Sequence, residues 1–121
     1  MKVDWHSQQE LPSAGMPLRR RLVFGQEISC LRVTADPGSL DLQPHWHDHE
    51  QWLVVTAGSI RFVCADEEYE LVAGDVAYIP SRQPHTATHV GPDGATLLEL
   101  SAPPRLDLVP GAIVPSALRF D

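Results

Sequence analysis

The sequence predicts an all-β domain, a sandwich or barrel of about eight short strands. Three observations carry that prediction. Apolar and β-branched residues alternate over short runs such as Ile28 to Ala35. Clusters of Gly, Pro and Asp separate the runs. No segment sustains the apolar period of an amphipathic helix. The chain has 121 residues, 43% of them hydrophobic, which suits one domain with a core of its own.

The elements follow in order. Residues 1–18 carry Pro12, Gly15 and Pro17 and read as an N-terminal arm with at most a short edge strand. Residues 19–106 read as the barrel. Its strands are Arg20 to Phe24, Ile28 to Ala35, and Leu40 to His47 after the turn Asp36-Pro37-Gly38. Gln51 to Thr56 and Ile60 to Cys64 read as a hairpin about Ala57-Gly58-Ser59. Tyr69 to Val72 and Val76 to Ile79 follow. His85 to Val90 and Ala95 to Ser101 close the barrel around the turn Gly91 to Gly94. Residues 107–121 read as an irregular tail.

The formal net charge is −7, which argues against nucleic acid as a partner. The one basic run, Arg19-Arg20-Arg21, reads as a solvated strand edge. Cys30 and Cys64 lack the spacing of a metal motif and read as two thiols in a reducing compartment, although a disulfide stays open. No apolar run has the length of a membrane span, and the first residues lack the apolar core of a signal peptide. The expectation is a soluble, cytoplasmic protein.

Chemistry concentrates in Pro44-His45-Trp46-His47-Asp48-His49-Glu50-Gln51. In an extended chain His45 and His47 point the same way, so both rings can reach one ion. Imidazole suits Zn, Cu, Fe and Ni. The competing reading is a surface histidine cluster. A second stretch, Gly74 to His85, is a turn, a strand, the stop Pro80 and then a histidine.

Together these stretches resemble the cupin superfamily. Its first motif is G-x5-H-x-H-x3,4-E-x6-G, and Gly38, His45, His47, Gln51 and Gly58 fit it. Its second is G-x5-P-x-G-x2-H-x3-N, and Gly74, Pro80 and His85 fit that. The chain departs from the pattern in four places. One extra residue separates Gly38 from His45, Arg82 replaces a glycine, His89 replaces the asparagine, and Gln51 takes the acidic slot. Glu50 is one residue out of step and should face the other way.

The resemblance implies a double-stranded β-helix, or jelly roll, with one divalent transition metal (Fe, Mn, Co, Ni or Zn) inside. The implied ligands are His45, His47, Gln51 and His85, with His49 in the turn beside the site or at the surface. Neutral donors leave the ion its full charge, so the site favours anionic ligands.

The stretch Leu97 to Asp107 is similar to the D-V-F-S-P-x-R-x-D-F ending of small cupins that act on unsaturated uronates. By motif position, Glu99 and Arg105 map to the acidic residue and arginine of the barrel mouth, and Ser101 replaces an aromatic. The two also read as a plain ion pair at a strand end. Trp46 and Trp52 read as core or dimer contacts, and Tyr78 as a pocket hydroxyl.

The implied function is a metal-dependent enzyme doing isomerase- or lyase-type proton transfer on a small anionic, carboxylate-bearing substrate. Glu99 would shuttle the proton and Arg105 would clamp the carboxylate. The alternatives are a cupin dioxygenase and a non-catalytic ligand-binding or sensor module. Cupins of this size also imply a homodimer.

Overall fold

The computed structural model describes all 121 residues. Eight strands form, in chain order β1 (Glu10–Leu11), β2 (Leu18–Phe24), β3 (Ser29–Ala35), β4 (Gly38–Ser39), β5 (Glu50–Cys64), β6 (Glu67–Val72), β7 (Val76–Ile79) and β8 (His85–Ala102). All pairings are antiparallel, and the hydrogen-bonded order is β1-β2-β3-β8-β5-β6, with β4 on β8 and β7 on β5.

Two expected hairpins are continuous strands instead. Ala57-Gly58-Ser59 and Gly91 to Gly94 are bends, because β5 and β8 stay paired from Glu50↔Ala102 to Cys64↔His85. Bulges between Val55 and Ala57 and between Gly58 and Ile60 absorb the curvature. Gly58 and Gly94 take the left-handed region at φ 71° and 76°. A Cβ on Gly58 would run into the Gly94 carbonyl. The glycines that signal turns here let two backbones touch while both strands pass around a corner.

That corner produces the two layers. Beyond it β8 pairs with β3, through Ser29↔Ser101 to Ala35↔Ala95, and the first part of β5 pairs with β7. Before it β8 pairs with β4, and the second part of β5 pairs with β6. The result is the jelly-roll arrangement the sequence predicts. Alternation puts Leu31 and Val33 of β3, Leu53, Val55, Ile60 and Phe62 of β5, and Val90 and Leu97 of β8 into one core. Each such side chain contributes about 1.5–3 kcal/mol by leaving water.

Leu40 to His47 is not a strand. The segment makes only two single-residue bridges, His45↔His85 and Trp46↔Arg119. It still runs beside the start of β8, with Leu40 N–H donating to the Thr88 carbonyl at 3.0 Å and Thr86 Oγ1 to the Leu42 carbonyl at 3.0 Å, but Pro44 supplies no N–H and the ladder stays broken. Cys30 and Cys64 are both free thiols. No helix is long and apolar enough to cross a membrane.

Candidate metal centre and its cavity

Backbone bonds bring the three imidazoles together. His45 and His85 exchange N–H···O bonds of 3.1 and 2.9 Å, which fixes the two Cα atoms side by side. The His47 carbonyl accepts from the Arg82 N–H at 2.8 Å, tying the third histidine to the loop before β8. Arg82 holds φ 66°, the left-handed region that the missing motif glycine would occupy without strain. The loop keeps its shape, and Arg82 also donates to Asp48 at 2.8 Å.

One ring nitrogen from each of His45, His47 and His85 lies within 4.8 Å of the others. His47 Nδ1 is 2.9 Å from the His49 carbonyl and His85 Nδ1 is 2.8 Å from the Gln83 carbonyl. A carbonyl only accepts, so both Nδ1 atoms carry the proton and both Nε2 atoms carry lone pairs. Those two Nε2 atoms face each other at 3.1 Å. Facing lone pairs repel unless a cation lies between them. Neighbouring ligands on bonds of about 2.1 Å stand about 3.0–3.4 Å apart. The donor set therefore fits a first-row ion, and the carbonyls hold the rings as outer-shell partners of a metal site do.

Burial keeps these rings neutral and ready to ligate. It pushes His85 down to about 4, against the pull of its bond to Gln83. It also lowers His45 and His47, and in each case a neighbouring charge adds to the effect.

Gln51 is the second residue of β5, is 5% exposed, and lines the cavity with His45 and His85. Glu50 faces solvent, as its place in the strand requires. His49 is buried, not superficial. Its ring stacks on His47 at 3.6 Å and 5° between planes, and burial pushes it down to about 3. Its Nε2 has no partner.

Gln51→Glu is expected to retain the ion, since a carboxylate is at least as good a donor. Its charge should weaken an acidic ligand on the order of tenfold or more. Elemental analysis and titration with a carboxylate check both. Unchanged metal content and unchanged ligand affinity in both Gln51→Glu and Gln51→Ala would leave Gln51 only the task of orienting His47.

His45, His85 and Gln51 open onto a cavity of about 310 Å³ inside the barrel. Glu99 and Arg105 line the same cavity. They do not form the strand-end ion pair that was the simpler reading. Arg105 Nε and Nη2 donate instead to the two oxygens of Asp107 at 2.9 and 3.0 Å. Burial alone would raise the Asp107 carboxyl, but these bonds and one from the Ala117 N–H hold it below its usual range. Glu99 has no ion-pair partner, and burial raises its carboxyl against the opposing pull of Arg105 and Arg20.

Two parts of the wall escaped the sequence reading. The tail folds back over the mouth: Trp46 and Arg119 exchange backbone bonds of 2.8 Å, and Leu118 and Phe120 line the cavity. Phe120 stands 6.0 Å from the His45 ring. No alternation marks this segment, so no sequence signal pointed to it. Arg20 also lines the cavity, whereas Arg19 pairs with Asp36 and Arg21 bonds the arm carbonyls of Trp5 and Gln8 outside. Strand alternation with Leu18 and Leu22 is the signal that places Arg20 inward. Tyr78 is not a pocket hydroxyl. It is exposed on the outer face, its ring 4.6 Å from Trp52.

A jelly roll with three convergent imidazoles at one end of an interior cavity has a group that could hold a metal ion. The chain belongs to the cupin family: the sequence profile of the cupin domain matches residues 31–101. It is similar to the alginate biosynthesis protein AlgA of Pseudomonas aeruginosa, 29% identical over 65% of this chain and 16% of that protein. The chain spans only 16% to 21% of the length of the curated relatives it matches. Its fold matches KdgF from Halomonas sp. at TM-score 0.77 and 21% identity, covering 90% of this chain and all of that one. It also matches the Mn(II)-containing oxalate decarboxylase of Bacillus subtilis at TM-score 0.72 and 22% identity, covering 85% of this chain and 29% of that one.

Proposed function

We propose that this cupin is a metal-dependent enzyme performing isomerase- or lyase-type proton transfer on a small carboxylate-bearing molecule. One observation carries the reading. An unpaired carboxyl, Glu99, shares a cavity with the three-histidine group and with Arg105. A carboxyl raised toward neutral by burial suits both taking and returning a proton. The four ligands in this reading are His45, His47, Gln51 and His85. A divalent ion bound there supplies Lewis-acid stabilisation of negative charge on the substrate. Arg105 meets the substrate carboxylate with its outer edge, Nη1 and Nη2, because its Nε edge is committed to Asp107. Leu118 and Phe120 add apolar wall to the cavity. The oxalate decarboxylase it resembles in fold is a manganese protein named for a small acid, which supports this substrate class.

The test is metal-loaded protein in D₂O with a panel of unsaturated uronates and hydroxy acids. Deuterium incorporation or isomerisation without oxygen uptake is the expected result, and Glu99→Gln should abolish it while metal content holds. Oxygen consumption would make the protein a dioxygenase. Ligand binding without turnover would make it a sensor or carrier.

A homodimer belongs to the same proposal. The outer face of β5, β7 and β8 presents Trp52, Tyr78, Val54, Val76, Leu98 and Leu100 in adjacent registers, and Trp52 and Tyr78 are each 45% exposed. A continuous apolar sheet face of this kind favours a partner. Sedimentation should show a dimer that Trp52→Glu converts to a monomer; a wild-type monomer would remove the proposal.

A further inference from the structure

Arg20 enters the barrel from β2, facing the same way as Leu18 and Leu22, which pack against the core. Its single side-chain hydrogen bond runs from Nη2 to the Pro12 carbonyl at 2.7 Å. Its Nε is buried with no partner, and none of the ion pairs includes it. A guanidinium cannot shed its charge, so an unmatched one at a cavity wall is costly unless something brings a counter-charge.

No group facing it forms an ion pair with it. Arg105 is a like charge already matched by Asp107. Glu99 is the one carboxyl nearby, and it stays beyond ion-pair distance. Nor does the metal end supply a counter-charge, because its donors are neutral. Arg20 is thus one cationic group of the cavity without an ion pair, and the neutral histidine end would become a second positive place once an ion is bound there.

These places are separated along the barrel. Gln51 lies at the start of β5 at the histidine end, whereas Arg20 lies in the row Arg20↔Val33↔Leu97↔Val55. Gln51 to Val55 is four residues, roughly 13 Å of strand, which the long arginine side chain partly spans. A volume of about 310 Å³ is at the low end for ligand pockets and suits a small ligand.

We propose that Arg20 binds a second acidic group of the ligand, so that the cavity takes a small diacid with one end at the three-histidine group and the other at Arg20. The inference rests on the acidic-ligand reading above and narrows it from acids to diacids.

Calorimetry on the metal-loaded chain tests it, with succinate, glutarate and adipate against butyrate as the monoacid. Wild type should bind the best diacid at least ~10-fold more tightly than butyrate, the scale of one charged hydrogen bond. Arg20→Gln should lower diacid affinity to the butyrate level and leave butyrate affinity and metal content unchanged. Arg20→Lys keeps a charge and a donor for the Pro12 carbonyl, so it should fold as wild type and retain part of the preference. Equal losses for diacid and monoacid in the Lys variant would make Arg20 a strut for the arm and overturn the proposal, as would a wild type without preference. Binding of neither class by wild type would instead overturn the acidic-ligand reading itself, and this proposal with it.

Discussion

His85→Ala is expected to empty the metal centre. Wild type should carry about one first-row ion per chain after dialysis, and the variant essentially none. Three imidazoles converge in the native chain. Removing His85 leaves two and opens one side of the coordination shell. Changes to groups that merely orient a ligand cost about 10–100-fold in metal affinity, so loss of a ligand itself should exceed that range. Stability supplies a second readout. Metal at 100 times its dissociation constant should raise wild-type unfolding free energy by about 2.7 kcal/mol. It should leave the variant unmoved. The metal-free forms should differ less, because the deletion also removes one of two lone pairs that confront each other at 3.1 Å. Full occupancy in the variant would take His85 out of the site and with it the metal reading of the facing Nε2 atoms.

What was legible in the sequence follows from how local its physics is. The period-2 pattern of Ser29 to Ala35 needs only its neighbours to show its inner face, and β3 forms there with strict alternation of burial. The same rule separates Gln51 from Glu50, and the structure turns one inward and the other out. The corner at Gly58 and Gly94 was not legible. A glycine that permits a hairpin and a glycine that lets two strands touch look alike in sequence, and only the pairing of β5 with β8, far apart in the chain from Glu50↔Ala102 to Cys64↔His85, tells them apart. The tail was hidden for a related reason. Its hold on the barrel comes from backbone bonds at Trp46 and Arg119, which any side chain would allow, and from two side chains, Trp46 and Asp107, whose bonds to tail backbone groups no local pattern announces. Arg20 differs from both, because its inward direction was implied by Leu18 and Leu22 but outweighed by the look of three arginines in a row. A run of like charges reads as a solvated patch only where the chain is not a strand.

Arg105→Ala is expected to cost both stability and binding, and the two losses have separable causes. The Arg105 and Asp107 side chains are 9% and 7% exposed, so removing the guanidinium leaves a carboxylate nearly dry and without its charge partner. Breaking a buried pair from one side costs about 3–5 kcal/mol. For a domain of this size that corresponds to a fall in melting temperature of roughly 10–20 °C. Asp107 also accepts from the Ala117 N–H at 3.0 Å, so its disturbance should reach the tail that covers the cavity. Replacing both partners by leucine should restore most of the stability, since apolar replacements of buried pairs are often neutral. Binding should not be restored. Loss of a charged hydrogen bond at the outer edge of Arg105 should weaken an acidic ligand about 10- to 150-fold in the Ala variant and in the double variant alike. Arg105→Lys should recover part of the affinity, as it keeps the charge without the fork. Asp107→Asn separates the two effects from the other side: it should lower the melting temperature yet leave the preference for an acid over its amide intact. The measurement is thermal unfolding, with titration of an acid and its amide, for wild type and the four variants. Should acid and amide lose affinity equally in the double variant, Arg105 is a brace for the tail and the carboxylate is held elsewhere.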